Sequence, residues 1–452
     1  VSAPVTFDRR LLPALISGAV LNPINSSIIA VSLVPIGVAF GAPPSATAWL
    51  VSALYLATAV GQPVAGSLID RHGPRRLFLI AASLVGIAGV MGTFAPNLGV
   101  LIAARVLLGF GTCAGYPAAI RLIKDQDGPT GVLTVLSVST QTIAVIGPPL
   151  GGLLIGLGGW RATLAINIPL AVVAFALGWW RLPRTARAPG PRPGLDVAGM
   201  LLFAATLVAL LLFLLHPGLS DWYLPVIALA TGAGFAVREL RAPNPFLDLR
   251  LLGGNLPLLM TYARALLAYL ISYAFLYGYT QWIEDGRGLS PAHTGLVQLP
   301  VFATAIAVST ASSSRLSIRA KLLVGAATQV LACGVLLTLE PSSPIAVLVL
   351  LSVVLGVPQG LNSLALQNSV YHQSDSERVG SAAGLLRTFG YLGAIVASAA
   401  QGAFYGRSAD TPGLHELAVF LLVTAALFLV LVVADRSLRD LGRDHPRDEE
   451  RA

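Results

Sequence analysis

Charge is what this chain has least of. Asp, Glu, Lys and Arg make up 11% of its 452 residues, against about 25% in an ordinary soluble domain. A water-facing surface cannot be built from so few. Cysteine is nearly absent too: Cys113 and Cys333 both sit inside apolar runs and read as small packing residues, so a disulfide framework is excluded. The six histidines, His72, His216, His293, His372, His415 and His445, stand in loops or at the ends of runs. No His/Cys/Asp/Glu cluster has metal-ligand spacing, and no Gly-Lys-Ser/Thr phosphate loop occurs, which removes ATP-driven motor chemistry from this chain. No metal, no cofactor and no catalytic residue is expected. An enzyme working inside a bilayer would need converging nucleophiles, acids or ligands that are missing here; it and a non-transporting receptor remain the distant alternatives.

What is present is hydrocarbon. Apolar residues reach 55% and mean hydropathy is +0.77. Charge-poor stretches of roughly 20 residues recur, each long enough to cross about 30 Å of hydrocarbon as a helix. Lipid cannot satisfy bare backbone groups, so the spans are expected to be helical. They fall near 11–39, 45–68, 77–95, 98–120, 131–157, 161–180, 195–215, 222–237, 256–283, 292–312, 322–339, 344–366, 379–405 and 414–434. The fold class is therefore all-α and polytopic, with about 14 spans. The first run is too long for a cleavable signal peptide. The two middle spans are the least distinct, and one could be re-entrant.

Placement of positive charge tests this list. With a cytoplasmic N-terminus, 23 of the 29 Lys and Arg fall in inside segments. Arg161, Arg287 and Arg407 fall outside, and Arg105, Arg264 and Arg387 within spans. That bias predicts both termini in the cytoplasm and a multi-pass protein of the inner membrane. The net charge of +8 then reflects orientation in a lipid bilayer, not nucleic-acid binding. A Pro- and Arg-rich stretch at 181–196 reads as a linker, and 238–255 is a second polar segment. They divide the chain into an N-terminal six-helix bundle (1–181), a linker with two inserted helices and a connecting loop (182–255), a C-terminal six-helix bundle (256–435) and a charged tail (436–452). Two six-helix halves suggest a duplicated fold with a transport path between them.

Between the second and third spans the chain reads Gly66-Ser67-Leu68-Ile69-Asp70-Arg71-His72-Gly73-Pro74-Arg75-Arg76. The pattern closely resembles the cytoplasmic loop signature of the major facilitator superfamily. Gly73 suits a tight turn, and Asp70 suits a helix N-terminus; the resemblance implies that this acid braces the start of the penultimate helix near Ser381. Arg71, Arg75 and Arg76 suit carboxylate partners. Arg105-Val-Leu-Leu-Gly109-Phe-Gly111 is similar to the Arg-x-x-x-Gly-x-Gly run of that family's fourth span, with Leu108 in place of the customary Gln. Gly147-Pro148-Pro149-Leu150-Gly151-Gly152 resembles its antiporter motif, with Ile143 where a further glycine is usual. Gly159-Trp160-Arg161 with Asn167-Ile168-Pro169 is similar to a run common in fourteen-helix drug/proton antiporters. Small residues and proline at such sites permit close helix contact and bending.

The departures matter as much. Asn25 stands where that branch carries an acid, and Asn cannot exchange a proton. No substitute carboxylate is evident deep in another span; Glu284 and Asp285 close the ninth span on the outside. Arg105, Arg264 and Arg387 are instead basic residues within spans, costing about 2.5–3.5 kcal/mol each at a bilayer centre. Arg264 and Arg387 should lie about 12 Å from their helices' cytoplasmic ends. Each arginine either lines the path or acts structurally, Arg105 by bonding Asn25, backbone carbonyls or an anionic substrate. Tyr262, Tyr269, Tyr273 and Tyr277 share one helical face, facing a cavity or a helix interface. Asn22, Asn25, Gln141, Gln281, Gln298, Gln359 and Asn362 are further polar candidates.

The expected activity is export of amphipathic small molecules by alternating access. The candidate substrate contacts are Asn22, Asn25, Arg264, Tyr269, Tyr273, Tyr277, Gln359, Asn362 and Arg387. The candidate conformational residues are Gly66, Asp70, Arg71, Gly73, Arg75, Arg76, Arg105, Gly109, Gly147, Pro148, Gly151 and Gly152. Three buried cations without a buried acid favour a neutral or anionic substrate. Proton coupling stays open, and a uniporter or importer that lost its coupling acid is the alternative. A monomer is expected.

Overall fold

The computed structural model describes residues 8–125, 130–183, 196–215, 219–243, 245, 247, 249–250, 255–312, 316–374 and 379–439. Most of the 181–196 linker and of the charged tail lies outside these residues, as do the side chains of Asp70, Gln141 and Ser381. The described chain forms α1 (Arg9–Phe40), α2 (Pro44–His72), α3 (Pro74–Thr93), α4 (Leu98–Ile123), α5 (Thr130–Gly158), α6 (Ala162–Arg181) and α7 (Val197–Leu215). There follow α8 (Tyr223–Arg241), α9 (Leu256–Gly286), α10 (Pro291–Ser312), α11 (Ile318–Leu336), α12 (Ile345–Gln373), α13 (Val379–Tyr405) and α14 (Thr411–Ala434). Thirteen are long and apolar enough to cross a membrane; α5 joins them as a bent pair. Both middle helices, α7 and α8, are full-length rather than re-entrant.

Proline explains the broken helices. Pro23 and Pro35 cannot donate to the carbonyls four residues earlier, and α1 is interrupted near both points, running through a 3₁₀ turn at Ile29–Ser32. The 42° bend in α5 falls between Val138–Ala144 and Ile146–Gly158, where Pro148 and Pro149 leave the carbonyls of Ala144 and Val145 without their helical donors. At Gly73 the backbone takes φ +84°, a conformation suited to glycine, and α3 begins immediately after it.

Alternate helix ends meet on one face. Arg181 at the end of α6 donates to the Arg10 carbonyl, and Arg75 at the start of α3 to the Trp179 carbonyl. Asn255 at the head of α9 donates to the Gln373 carbonyl at the end of α12. This terminal face carries both described chain ends. The far face is tied by bonds such as Ser32 to Thr163 and Trp282 to Thr411.

The first six and last six helices meet along two seams, α2 against α13 and α5 against α10. The second is shut toward the far face. A Cβ on Gly152 would lie 2.6 Å from the Pro291 carbonyl oxygen, and one on Gly295 2.6 Å from that of Pro148. Close approach of this kind requires glycine. Across the first seam, Ser398 donates to the Ala48 carbonyl at 2.7 Å near the far face. Nearer the terminal face, Gly66 on α2 and Gly384 on α13 have no neighbouring atom within 4 Å of a would-be Cβ. Both seams are closely packed near the far face.

The inserted pair is a fastened hairpin. Thr206 on α7 donates to Thr231 on α8 at 3.0 Å, and the rings of Phe203 and Phe235 lie 5.2 Å apart. Arg238 pairs with Asp196 at 2.6 Å. Burial pushes the Asp196 carboxyl up, but the Gly199 amide and the Arg238 guanidinium outweigh it and hold it below the usual aspartate value. α7 packs on both α2 and α13, covering that seam from the side.

Candidate functional site

Where the two halves meet at mid-depth, tyrosines from both converge. Tyr277 on α9 donates to the Ser26 carbonyl on α1 at 2.8 Å, and Tyr55 on α2 donates to the Tyr277 oxygen at 2.9 Å. Tyr273 meets Tyr55 edge to face at 5.1 Å and stacks on Tyr277 at 5.9 Å. Tyr269 continues the row 6.3 Å from Tyr273. From α13, Tyr391 lies 5.7 Å from Tyr55 and donates to Gln62 at 2.7 Å. The hydroxyls of Tyr55, Tyr277 and Tyr391 find acceptors, as a low-dielectric interior requires, while the rings offer apolar, polarisable faces. Arg387 sits toward the terminal face, its guanidinium 4.0 Å from the centre of the Tyr116 ring on α4, a cation–π contact that bridges the halves.

Beside Tyr269 a small crevice of about 10 Å³ is bounded by Ser272, Gln359, Asn362 and Ser363. Neither amide atom of the buried Asn362 has a hydrogen-bond partner among the described residues, and the Gln329 carbonyl oxygen also lacks one. A second crevice, of about 450 Å³, opens on the far face between the α1–α2 turn and Gln281, Asp285 and Arg407.

The expected site residues do not all meet here. Tyr269, Tyr273, Tyr277, Gln359, Asn362 and Arg387 gather around the centre. Tyr262 departs: it donates to the Ala382 carbonyl and stacks on Phe389, so the tyrosine stripe is part interface and part cavity. Arg264 is fully buried but forms an ion pair with Asp435, just past α14, and donates to the Met260 carbonyl. Of the two roles open to Arg264, lining the path or acting structurally, this pairing toward the terminal face fits the structural one. Asn25 donates to the Leu21 carbonyl and to Asn167 at 2.7 Å, and Asn22 to Thr112 at 3.1 Å. Arg105, 1% exposed, ties three helices by donating to the carbonyls of Leu50 and Asn25. Gln281 bonds Gln401, and Gln298 bonds Thr280.

Among the conformational candidates, Gly109, Gly147, Gly151 and Gly152 are close-packing positions. A Cβ on Gly109 would lie 2.6 Å from the Leu54 carbonyl oxygen, one on Gly151 2.7 Å from Val31, and one on Gly147 would overlap Ser27. Arg75 lies 5.3 Å from the Trp179 ring, Arg71 ends α2, and Arg76 is exposed. The bracing role of Asp70 falls on a side chain outside the described set. Tyr55, Tyr116, Tyr391 and Gln62 were not expected in the site. Their only signal was a lone polar ring or amide in an apolar run.

The sequence profile of the Major Facilitator Superfamily matches residues 15–398. YwoD, an uncharacterised MFS-type transporter of Bacillus subtilis (strain 168), is 32% identical over 93% of this chain and 96% of its own length. The multidrug efflux pump LfrA of Mycolicibacterium smegmatis is 27% identical over 89% of this chain and 82% of its own. The in meso crystal structure of the POT family transporter PepTSo superposes with a TM-score of 0.70 at 14% identity, covering 97% of this chain and 100% of that one. At that identity the likeness is one of fold.

Proposed function

The chain belongs to the Major Facilitator Superfamily, and from that premise we propose that it exports amphipathic small molecules by alternating access, taking neutral or anionic substrates. The observation that carries this reading is the tyrosine cluster shared between the halves, with Arg387 at its terminal side and the unused amide of Asn362 beside it. Aromatic faces suit an apolar body; a guanidinium and an amide suit a polar or negative group. Relatedness to a multidrug efflux pump supports the direction. With Arg264 balanced by Asp435, Arg105 and Arg387 remain the cations nearest the cluster.

The positive-inside bias supports a cytoplasmic terminal face in the inner membrane. The far face is then external, and close packing of both seams on that side suits loading from the cytoplasm. Rocking of the halves about the centre would open the far side. Asn25, held by Asn167, supplies no titratable group to this cycle.

The test is transport in proteoliposomes of three dyes built on one aromatic scaffold, anionic, neutral and cationic. Export of the first two with the cation left behind is the expected result. Cation export alone would overturn the charge preference, and movement driven only by the substrate's own gradient would favour the uniporter reading.

A further inference from the structure

The ninth helix was expected to end at 283, leaving Glu284 outside. Instead α9 continues through two π-helical turns, Phe275–Tyr279 and Trp282–Gly286. Such turns are rare and concentrate at functional sites. The second one carries Glu284 into the protein: the residue is 6% exposed, and neither carboxylate oxygen meets a donor among the described residues.

Most nearby charged and titratable groups are engaged elsewhere; Arg407 is exposed and lines the crevice with Asp285. The turn packs against α10, α14 and the preceding π turn. On α10, His293 Nδ1 meets the Ser290 hydroxyl. At the head of α14, Asp410 accepts from the Gly413 amide, His415 Nε2 meets the Leu339 carbonyl, and Glu416 is exposed. On the preceding turn, Tyr277 and Tyr279 donate to the carbonyls of Ser26 and Leu348. On its own element, Asp285 accepts from the Ala409 amide and Arg287 donates to the Pro341 carbonyl. Among the described residues, no cation is bonded to Glu284. An ionised carboxylate buried without donors is far costlier than the neutral acid.

We propose that Glu284 is a proton-binding site whose occupancy closes the far seam. The next residue, Asp285, lines the crevice of about 450 Å³ on that face, so solvent comes within one residue of the site. The turn's neighbour α10 is also the helix that meets α5, through Pro291, Ala292 and Gly295. Parting that contact exposes Glu284 to far-face water, where it ionises; closing it demands the neutral form. The step is a plain proton transfer. A hydronium ion in the crevice gives its proton to a Glu284 carboxylate oxygen, an O–H bond forms and water is left; reopening reverses it. The site differs from the Asn25 position in half, helix and depth, and it needs no substrate to operate.

The test measures conformation, so its failure is separate from failure of the exporter reading. Spin labels are placed at Val38→Cys, which lines the crevice, and at Ser408→Cys, next to its lining residue Arg407, with Cys113→Ala and Cys333→Ala, in substrate-free lipid nanodiscs titrated from about pH 5 to 9. The expected result is a closed-to-open ratio that rises as pH falls, by about tenfold per unit through the transition. Glu284→Gln, which mimics the neutral acid, should stay closed at every pH, and Glu284→Asp should keep a response. A Glu284→Gln protein that tracks the parent's pH response overturns the proposal, as does a parent with no response. Infrared spectra of the parent give a second readout that needs no folded variant: a protonated-carboxyl band at low pH that disappears as pH rises. Its absence at low pH would equally overturn the proposal.

Discussion

The two halves treat their buried polar groups differently. In the first six helices most are used up on one another: Asn22 on Thr112, Asn25 on Asn167, Ser32 on Thr163, Arg105 on two carbonyls. In the last six, among the described residues, Asn362 and Glu284 have no partner for either polar atom and Gln329 and Gln401 each leave one unused, against the Ser52 hydroxyl and one nitrogen each of Arg75 and Arg105 in the first six. A satisfied network rigidifies, while unspent donors and acceptors cost stability unless something else uses them. Under the proposed function, the first half serves mainly as frame while the second offers most of the unspent groups to substrate.

The largest expected effect that could break this contrast is at Arg105. Replacement by Leu strands the Leu50 and Asn25 carbonyls, at about 1–3 kcal/mol each, and should sharply lower the thermal unfolding midpoint in detergent; an unchanged midpoint would deny the frame its keystone. Next is Gly152→Val, which overpacks the α5–α10 contact by about 1–3 kcal/mol only while the far seam is shut. Labels at Val38 and Ser408 should then report a shift to the open arrangement. A paired comparison follows. Asn25→Leu leaves the Asn167 oxygen without its donor and should cost about 2 kcal/mol, whereas Asn362→Leu removes two unused atoms and should be near neutral in stability while altering substrate selectivity. Equal losses in the unfolding assay would erase the distinction between halves.

The smallest effect is at the inserted hairpin, outside both halves. Asp196 is held below its usual pKa by Gly199 and Arg238, so its folded form binds a proton less readily than the unfolded chain. The contribution of its negative charge, about 0.3–1 kcal/mol at a helix N-terminus, is present above the ordinary aspartate pKa and is lost as pH falls through the lower, folded value. Asp196→Asn should therefore destabilise at neutral pH and match the parent in strong acid, as read by unfolding midpoints across pH.

Much of the frame was legible in the sequence. Charge-free runs give the spans, because a bilayer admits only helices of that length, and Gly73 and Gly152 stand where a turn and a close contact need them. The site was harder. Arg264 looked like a path residue because its partner, Asp435, is 171 residues away and just beyond the last apolar run. Tyr55 and Tyr391 carry no periodic signal; only the meeting of α2 with α13 brings them together. Glu284 was placed outside because hydropathy ends at 283, and no pattern of apolar residues announces a π turn that carries a carboxyl inward.

The central claim is that substrate is read by the second half at the tyrosine cluster. A photoactivatable amphipathic anion that the protein transports, crosslinked in proteoliposomes and mapped by mass spectrometry, tests it directly. The predicted labels fall on α9 between Tyr269 and Tyr277 and on α12 between Gln359 and Ser363, and excess unlabelled substrate removes them. Labels confined to the far crevice or to α7 and α8 would contradict the claim.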